Sequence, residues 1–252
     1  MSSKIYIKSP EEMKQMRVAC QKTARVLKRV AEAVEPGITT GDIDALMRQY
    51  TKEEGGKPTF LGYGGFPGAI CISINDEVIH GIPGGRVVLP GDVVSLDAGV
   101  WYDGFTGDSA RTVMVGVIDP DVIRLVETTR KALEVGISKV KPGVHLSDVS
   151  NAIQGVAEGA GFSVVREFVG HGVGRHLHEE PQVPNYGAPG RGPILKPGMT
   201  LAIEPMINLG DRKVRVLDDN WTVVTCDGKP SAHFEHTVAV TEEGAEILTL
   251  AN

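Results

Sequence analysis

The chain has 252 residues, 41% of them hydrophobic and 23% charged, the balance of a soluble globular protein built as one large domain or two small ones. A net charge of -6 without any Lys/Arg cluster argues against a specific nucleic-acid partner. The N-terminus has no apolar signal region and no apolar run approaches the ~18 residues of a membrane span. Cys20, Cys71 and Cys226 are odd in number and far apart, forming neither a disulfide framework nor a CxxC pair, which points to a reducing, cytoplasmic setting.

Ser9-Pro10-Glu11-Glu12 opens a first helix, with Ser9 as N-cap, Pro10 as its first residue and Glu12 closing a capping box. It is expected to end near Ala33, before Pro36-Gly37. A second helix starts near Thr40, carries Ile43, Leu46, Met47 and Tyr50 at helical spacing, and stops at Gly55-Gly56. Residues 57–80 read as a glycine-rich loop and a short strand around 69–74. The stretch 93–115 reads as a hairpin turning at Asp103-Gly104.

Asp119-Pro120 opens a third helix running to about Val140, and Ser147 is expected to cap a fourth that ends at Gly161. Strand-like segments follow at 163–169, 199–207, 213–217, 221–226, 233–240 and 245–250, with no linker between the halves. The second half repeats the first. VEPGITTGDIDAL (34–46) aligns with VKPGVHLSDVSNA (140–152), and LPGDVVSLDAGV (89–100) with KPGMTLAIEPMI (196–207). That alignment sets Asp97 opposite Glu204, while His80-Gly-Ile-Pro83 has a counterpart in His178-Glu-Glu-Pro181. Polar groups that recur in symmetry-related core strands should converge on a pseudo-twofold axis, which is where a site belongs.

Four acids interrupt apolar segments: Asp97, Asp108, Glu204 and Glu235. An unpaired carboxylate in a core strand costs several kcal/mol to desolvate, so such acids share protons or cations. GHGVGRHLHEEP (170–181) reads as a glycine-rich loop that adds His171 and His178, with neither an HExxH pair nor a phosphate-loop frame. Four carboxylates and one imidazole make an oxygen-rich set suited to Mn, Fe, Co or Zn and ill suited to a closed structural zinc site. Two divalent cations would balance the four negative charges.

The motifs CISINDEVIHGIP, VSLDAGVWYDGFTGDSARTV, GHGVGRHLHEEP, LAIEPM and SAHFEHTVAV, spread over about residues 5–250, resemble those of the type I methionine aminopeptidases. The resemblance implies the α/β pita-bread fold: a single catalytic domain (1–252) of two pseudo-symmetric halves, about 9–115 and 119–250, with a curved antiparallel sheet and outer helices. It implies five metal ligands, Asp97, Asp108, His171, Glu204 and Glu235, for two divalent ions. Asp108 and Glu235 would bridge, Asp97 would serve one ion, and His171 with Glu204 the other. His80 and His178 match the family's substrate-contacting histidines, and Glu204 is the expected proton acceptor.

The implied reaction is attack of a water or hydroxide, held between the cations, on the first peptide bond of a substrate with a free amine. The implied methionine pocket comprises Tyr63, Phe66, Cys71 and Trp221, with Leu177 where relatives carry an aromatic residue and His176 where they carry glycine. His233 is expected beside Glu235, bracing a metal ligand or simply packing, His236 to face away, and His145 and His176 to be solvated. The implied partners are N-terminal Met peptides and nascent chains, with transient ribosome contact, no membrane and a monomeric enzyme. The lack of a zinc-binding N-terminal extension, and a segment 181–198 too short for a helical insertion, imply a minimal bacterial-type member.

Three other readings stand beside this one. A prolidase or Xaa-Pro aminopeptidase of the same fold shares the ligands but carries an additional N-terminal domain. A non-catalytic pita-bread binding protein would tend to lose ligands, and all are present here. A mononuclear iron oxygenase would not need so many carboxylates. Ser2 is small, so the resemblance also implies that the enzyme accepts its own N-terminus. Intact mass of protein from a processing-proficient host should show Met1 largely removed, and full retention would count against this.

Overall fold

The computed structural model describes residues 4–251, so Met1 and Ser2, on which the self-processing expectation rests, lie outside the described residues. Helix α1 (Pro10–Glu32) starts at Ser9, whose hydroxyl accepts from Glu12 N while the Glu12 carboxylate accepts from Ser9 N. Thr39 and Asp42 build the same reciprocal cap for α2 (Thr40–Glu53). The chain then passes through β1 (Lys57–Pro58), a 3-10 turn at Tyr63–Gly65, β2 (Cys71–Ile74) and β3 (Glu77–Ile79), the last unforeseen. The expected hairpin follows as β4 (Val93–Tyr102) and β5 (Phe105–Met114). Asp103 (φ 48°) and Gly104 (φ 87°) both adopt the left-handed conformation that a two-residue hairpin loop demands.

In the second half come α3 (Pro120–Ser138) and α4 (Leu146–Gly159), then β6 (Ser163–Val164), β7 (Gly170–Gly172) and β8 (Glu179–Val183). After them lie β9 (Thr200–Ile203), β10 (Met206–Asn208), β11 (Val214–Val216), β12 (Val223–Thr225), β13 (Ser231–His233), β14 (His236–Val240) and β15 (Ala245–Ile247).

Three expectations are corrected. The N-cap of α4 is His145, not Ser147. Asp148, three residues on, accepts from His145 N, and the Ser147 hydroxyl instead accepts from Arg191 N. The glycine-rich loop around His171 contains a strand, β7, held between β8 and β9. The expected strands 199–207 and 233–240 each break in two, at Glu204-Pro205 and at Phe234-Glu235. Pro205 has no N–H to give a ladder, and the chain there leaves the β9–β14 pairing for the β10–β13 pairing.

The repeat recurs in the backbone. Gly37 N donates to Val88 O as Gly143 N does to Leu195 O, both at 2.9 Å, and the bridge Thr39–Val87 has its counterpart in His145–Ile194. Helices α1 and α2 cover the outer face of β2 and β4, burying Val26, Val30, Ile43 and Met47 on Ile72, Val94, Leu96 and Val100. Helices α3 and α4 do the same for the second half, with Leu125, Leu133, Val149 and Ile153 on Val164, Leu201, Ile203 and Val238. Each such side chain contributes about 1.5–3 kcal/mol on burial.

The two half-sheets meet at a seam between β5 and the β13–β14 break. Glu235 N donates to Ala110 O at 2.9 Å. On either side of this pair, the Thr237 hydroxyl accepts from Asp108 N and donates to Asp108 O, and the Thr112 hydroxyl does the same for His233 N and O. Over the seam α1 approaches so closely that a Cβ on Gly107 would lie 2.6 Å from the Cys20 Cα. Because that neighbour is helix backbone, Gly107→Ala should destabilise the protein by about 1–3 kcal/mol. Urea unfolding midpoints check this, and an unchanged midpoint would show that α1 can retreat freely.

Candidate active site

The hairpin register brings two acids to one face. Asp97 sits opposite Ala110 and Asp108 opposite Gly99, so the two carboxylates are diagonal neighbours on the inner surface, with Cys71 opposite Asp97 on the other side. Glu204 leaves β9 and Glu235 enters β14 where both strands break, which turns both side chains to the same surface. His171 lies at a bulge in β7. Its Nδ1 is 2.9 Å from Gly172 O and donates to it, which leaves the Nε2 lone pair free to act as a ligand. That Nε2 lies 3.4 Å from Glu204 Oε1 and 3.7 Å from Asp108 Oδ2. Ligand atoms of Asp108, His171 and Glu235 fall within 4.8 Å of one another.

Asp97 Oδ1, Asp108 Oδ1 and Glu235 Oε1 are buried without a hydrogen-bond partner, as is His233 Nε2. Among the described residues, no lysine or arginine lines the cavity they face. Buried acceptors left unpaired are costly, so this donor set fits divalent cations and is poorly explained without them. Desolvation pushes Asp97 up to about 7 and Glu204 up to about 8. Asp108 and Glu235 are also raised well above the carboxylate range, by desolvation first and then by repulsion from the neighbouring acids. Desolvation acts the other way on the histidines, lowering His80 to about 4 and His171 to about 3.

The carboxylates form one end of a cavity of about 160 Å³ that every residue expected from the sequence lines. Phe60, Phe66, Cys71 and Leu177 are buried together at its apolar end, and Trp221 packs edge-on to Phe66 at 5.1 Å between centroids. His80 adopts φ 59°, a conformation uncommon for a side chain with a Cβ, and stands edge-on to Phe168 and Trp221. The His178 ring lies 4.3 Å from that of His171, and the Tyr63 hydroxyl 2.6 Å from His178 Nδ1. Tyr63 is at the rim, 43% exposed.

Phe60, Ile79, Phe168 and Val169 also line the cavity and were not anticipated. Ile79, Phe168 and Val169 sit next to or just before the anticipated His80 and GHG motifs, and Phe60 is one of the few aromatic residues in the chain. His233 is buried with Nε2 3.7 Å from Glu204 Oε2, whereas His236 turns away and bonds Thr249. His176 is exposed. His145 is half-buried rather than fully solvated, its ring bonded to Gly192 O. A larger cavity of about 770 Å³, between α1, α3 and β5, contains none of the five candidate ligands.

A carboxylate with a raised folded-state pKa stabilises the fold below its unfolded value, and the contribution is lost as pH rises through the folded value. A histidine lowered from 6.5 opposes folding only below 6.5. Metal-stripped protein should therefore lose stability between pH 6.5 and about 8.5, because Asp97 and Glu204 titrate there at about 7 and about 8. A divalent cation should flatten the slope. Urea midpoints across this range test the expectation, and a level metal-free profile would contradict it.

The geometry has close relatives. The model of metallopeptidase family M24 matches residues 14–242. Methionine aminopeptidase 1 of Bacillus subtilis is 51% identical over 245 residues, 97% of this chain and 99% of that protein. The methionine aminopeptidase of Escherichia coli is 45% identical over 250 residues, 98% of this chain and 94% of that one. The crystal structure of a methionine aminopeptidase from Thermotoga maritima has a TM-score of 0.96 at 50% identity, covering 98% of this chain and 100% of that one. A prolidase from Pyrococcus furiosus shares the fold alone, at a TM-score of 0.79 and 23% identity over 98% of this chain and 66% of its own. The architecture is thus the pita-bread fold, with helices outside a curved antiparallel sheet. With its carboxylate cluster on the inner sheet face, the chain belongs to metallopeptidase family M24.

Proposed function

We propose that this chain is a methionine aminopeptidase, removing the N-terminal methionine of peptides and nascent proteins whose second residue is small. The observation that carries the reading is the meeting, in one cavity, of a carboxylate-rich cluster and a buried apolar pocket, in a chain alike over nearly its whole length to proteins of that name. Asp97, Asp108, His171, Glu204 and Glu235 would hold two cations from among Mn, Fe, Co and Zn. The unpartnered oxygens of Asp97, Asp108 and Glu235 support that assignment. When bound, such ions supply Lewis acidity, lowering the pKa of water and polarising a carbonyl.

The protein's own groups do the rest. Phe66, Cys71, Leu177 and Trp221 take the unbranched thioether side chain. Leu177 keeps that wall apolar but offers no ring edge to the sulfur, a contact worth roughly 0.3–1.5 kcal/mol. The Tyr63 hydroxyl donates to His178 Nδ1, leaving Nε2–H to donate to the scissile carbonyl oxygen as it gains charge. His80, held neutral by burial, faces the scissile nitrogen. Glu204 accepts the proton of the attacking water. His80, Asp97 and Asp108 come from one half of the repeat, while His171, His178, Glu204 and Glu235 come from the other, so the two halves work as one catalytic domain. The unpaired cysteines fit a cytoplasmic enzyme. A monomer in passing contact with ribosomes completes the reading, and sedimentation with and without ribosomes tests it.

Metal-stripped enzyme titrated with Mn, Co, Fe and Zn should release methionine from Met-Ala-Ser and leave N-acetylated and Xaa-Pro peptides intact. Cleavage of the Xaa-Pro peptide instead would indicate a prolidase, and silence with every ion a binding protein. Glu204→Gln should lower kcat by about 100-fold or more, with cation affinity measured alongside because Glu204 is also a ligand. His178→Ala should lower kcat by about 100- to 1000-fold with little change in cation affinity.

A further inference from the structure

Far from the carboxylates in sequence, Lys8 is a buried cation that the reaction does not use, with a side chain only 1% exposed. Its Nζ donates to Glu179 Oε2 at 2.8 Å and to Val173 O at 2.8 Å. The other oxygen of Glu179 accepts from His176 N at 3.1 Å, and Gly174 N donates to His176 O. The pair thus clasps both ends of the segment Val173–Glu179, which presents Leu177 and His178 to the cavity. The contact is tight: a Cβ on Gly174 would lie 2.7 Å from Lys8 Nζ and 2.8 Å from Glu179 Oε1. Lys8 is itself anchored from outside the segment, its N–H donating to Gly198 O at 2.9 Å. Glu12 reinforces the same link from the surface by accepting from Arg175.

We propose that Lys8 is a positioning residue: through Glu179 it fixes the backbone of residues 173–179 so that His178 meets the scissile carbonyl. An ion pair of this depth is a weak source of stability compared with an apolar pair, so its use here is to specify one geometry. Holding a donor to within a fraction of an ångström matters, because a displacement of about 1 Å can cost on the order of 100-fold in rate. The inference rests on the role of His178 in the proposed aminopeptidase reaction.

The test is a double-mutant cycle on kcat for Met-Ala-Ser, with Lys8→Met placed in the wild-type and in the His178→Ala backgrounds. Lys8→Met keeps the length and apolar bulk of the stem and removes the ammonium. In the wild-type background kcat should fall by about 10- to 100-fold. In the His178→Ala background the same change should lower kcat by less than about 3-fold, since the group it positions is gone. Mn affinity, read by calorimetry, should be unchanged in both.

A purely structural Lys8 would cost the same factor in both backgrounds, and that result would overturn the proposal. Unaltered turnover in Lys8→Met would overturn it as well. Glu179→Gln carries the same comparison should Lys8→Met fail to fold, because glutamine offers one acceptor where Glu179 uses both. An inactive wild-type enzyme would instead refute the aminopeptidase reading. Full activity in His178→Ala would remove the role on which the positioning depends.

Discussion

The desolvation of Asp97, Asp108, Glu204 and Glu235, and after it their mutual repulsion, is the constraint on which the rest of the structure depends. These carboxylates face a cavity with no cationic side chain, and several of their oxygens have no partner. Left alone they favour protonation or dispersal. Each is therefore carried by backbone that cannot yield: a continuous hairpin for Asp97 and Asp108, and paired strand breaks for Glu204 and Glu235. Helices packed on the outer sheet face provide the hydrophobic stabilisation that offsets this strain.

The seam is where the opposing acids are held at fixed spacing. Thr112 and Thr237 each both accept from and donate to the backbone of the facing strand, closing it where ladder bonds are interrupted. A hydroxyl can serve both ways, which no apolar β-branched residue could do. Ser109 adds a donor to Glu235 O at 2.8 Å. The backbone of Asp108 and of Glu235 is thereby fixed through their own main-chain groups.

Much of this was legible in the chain. Acids inside apolar strands stand out because burial makes them costly, and the Asp103-Gly104 turn sets the hairpin register that places Asp97 diagonal to Asp108. The helix cap at Ser9 is legible from Glu12 three residues on, whereas the matching Thr39/Asp42 cap of the second helix emerges only in the structure. Other features were hidden for physical reasons. The three-residue strand β7 owes its existence to neighbours β8 and β9, since GHG has no strand propensity of its own. The left-handed His80 reflects tertiary packing, and no local pattern announces it. Lys8 and Glu179 lie 171 residues apart, and nothing in either segment marks the other as its partner. His145 caps the fourth helix although Ser147 has the better intrinsic preference, and the repeat places it opposite Thr39.

The recurrence of the Thr39–Val87 contact as His145–Ile194 has a consequence for what such a fold can become. Two separate copies of a half-chain related by a twofold axis must present identical side chains on both sides of it. Covalent fusion lifts that requirement. Across the axis Asp97 now answers to Glu204, and Ala98, inside an unbroken strand, to Pro205, where the strand stops. A symmetric scaffold can then carry a polar, lopsided reaction, with an amine on one side and a leaving group on the other.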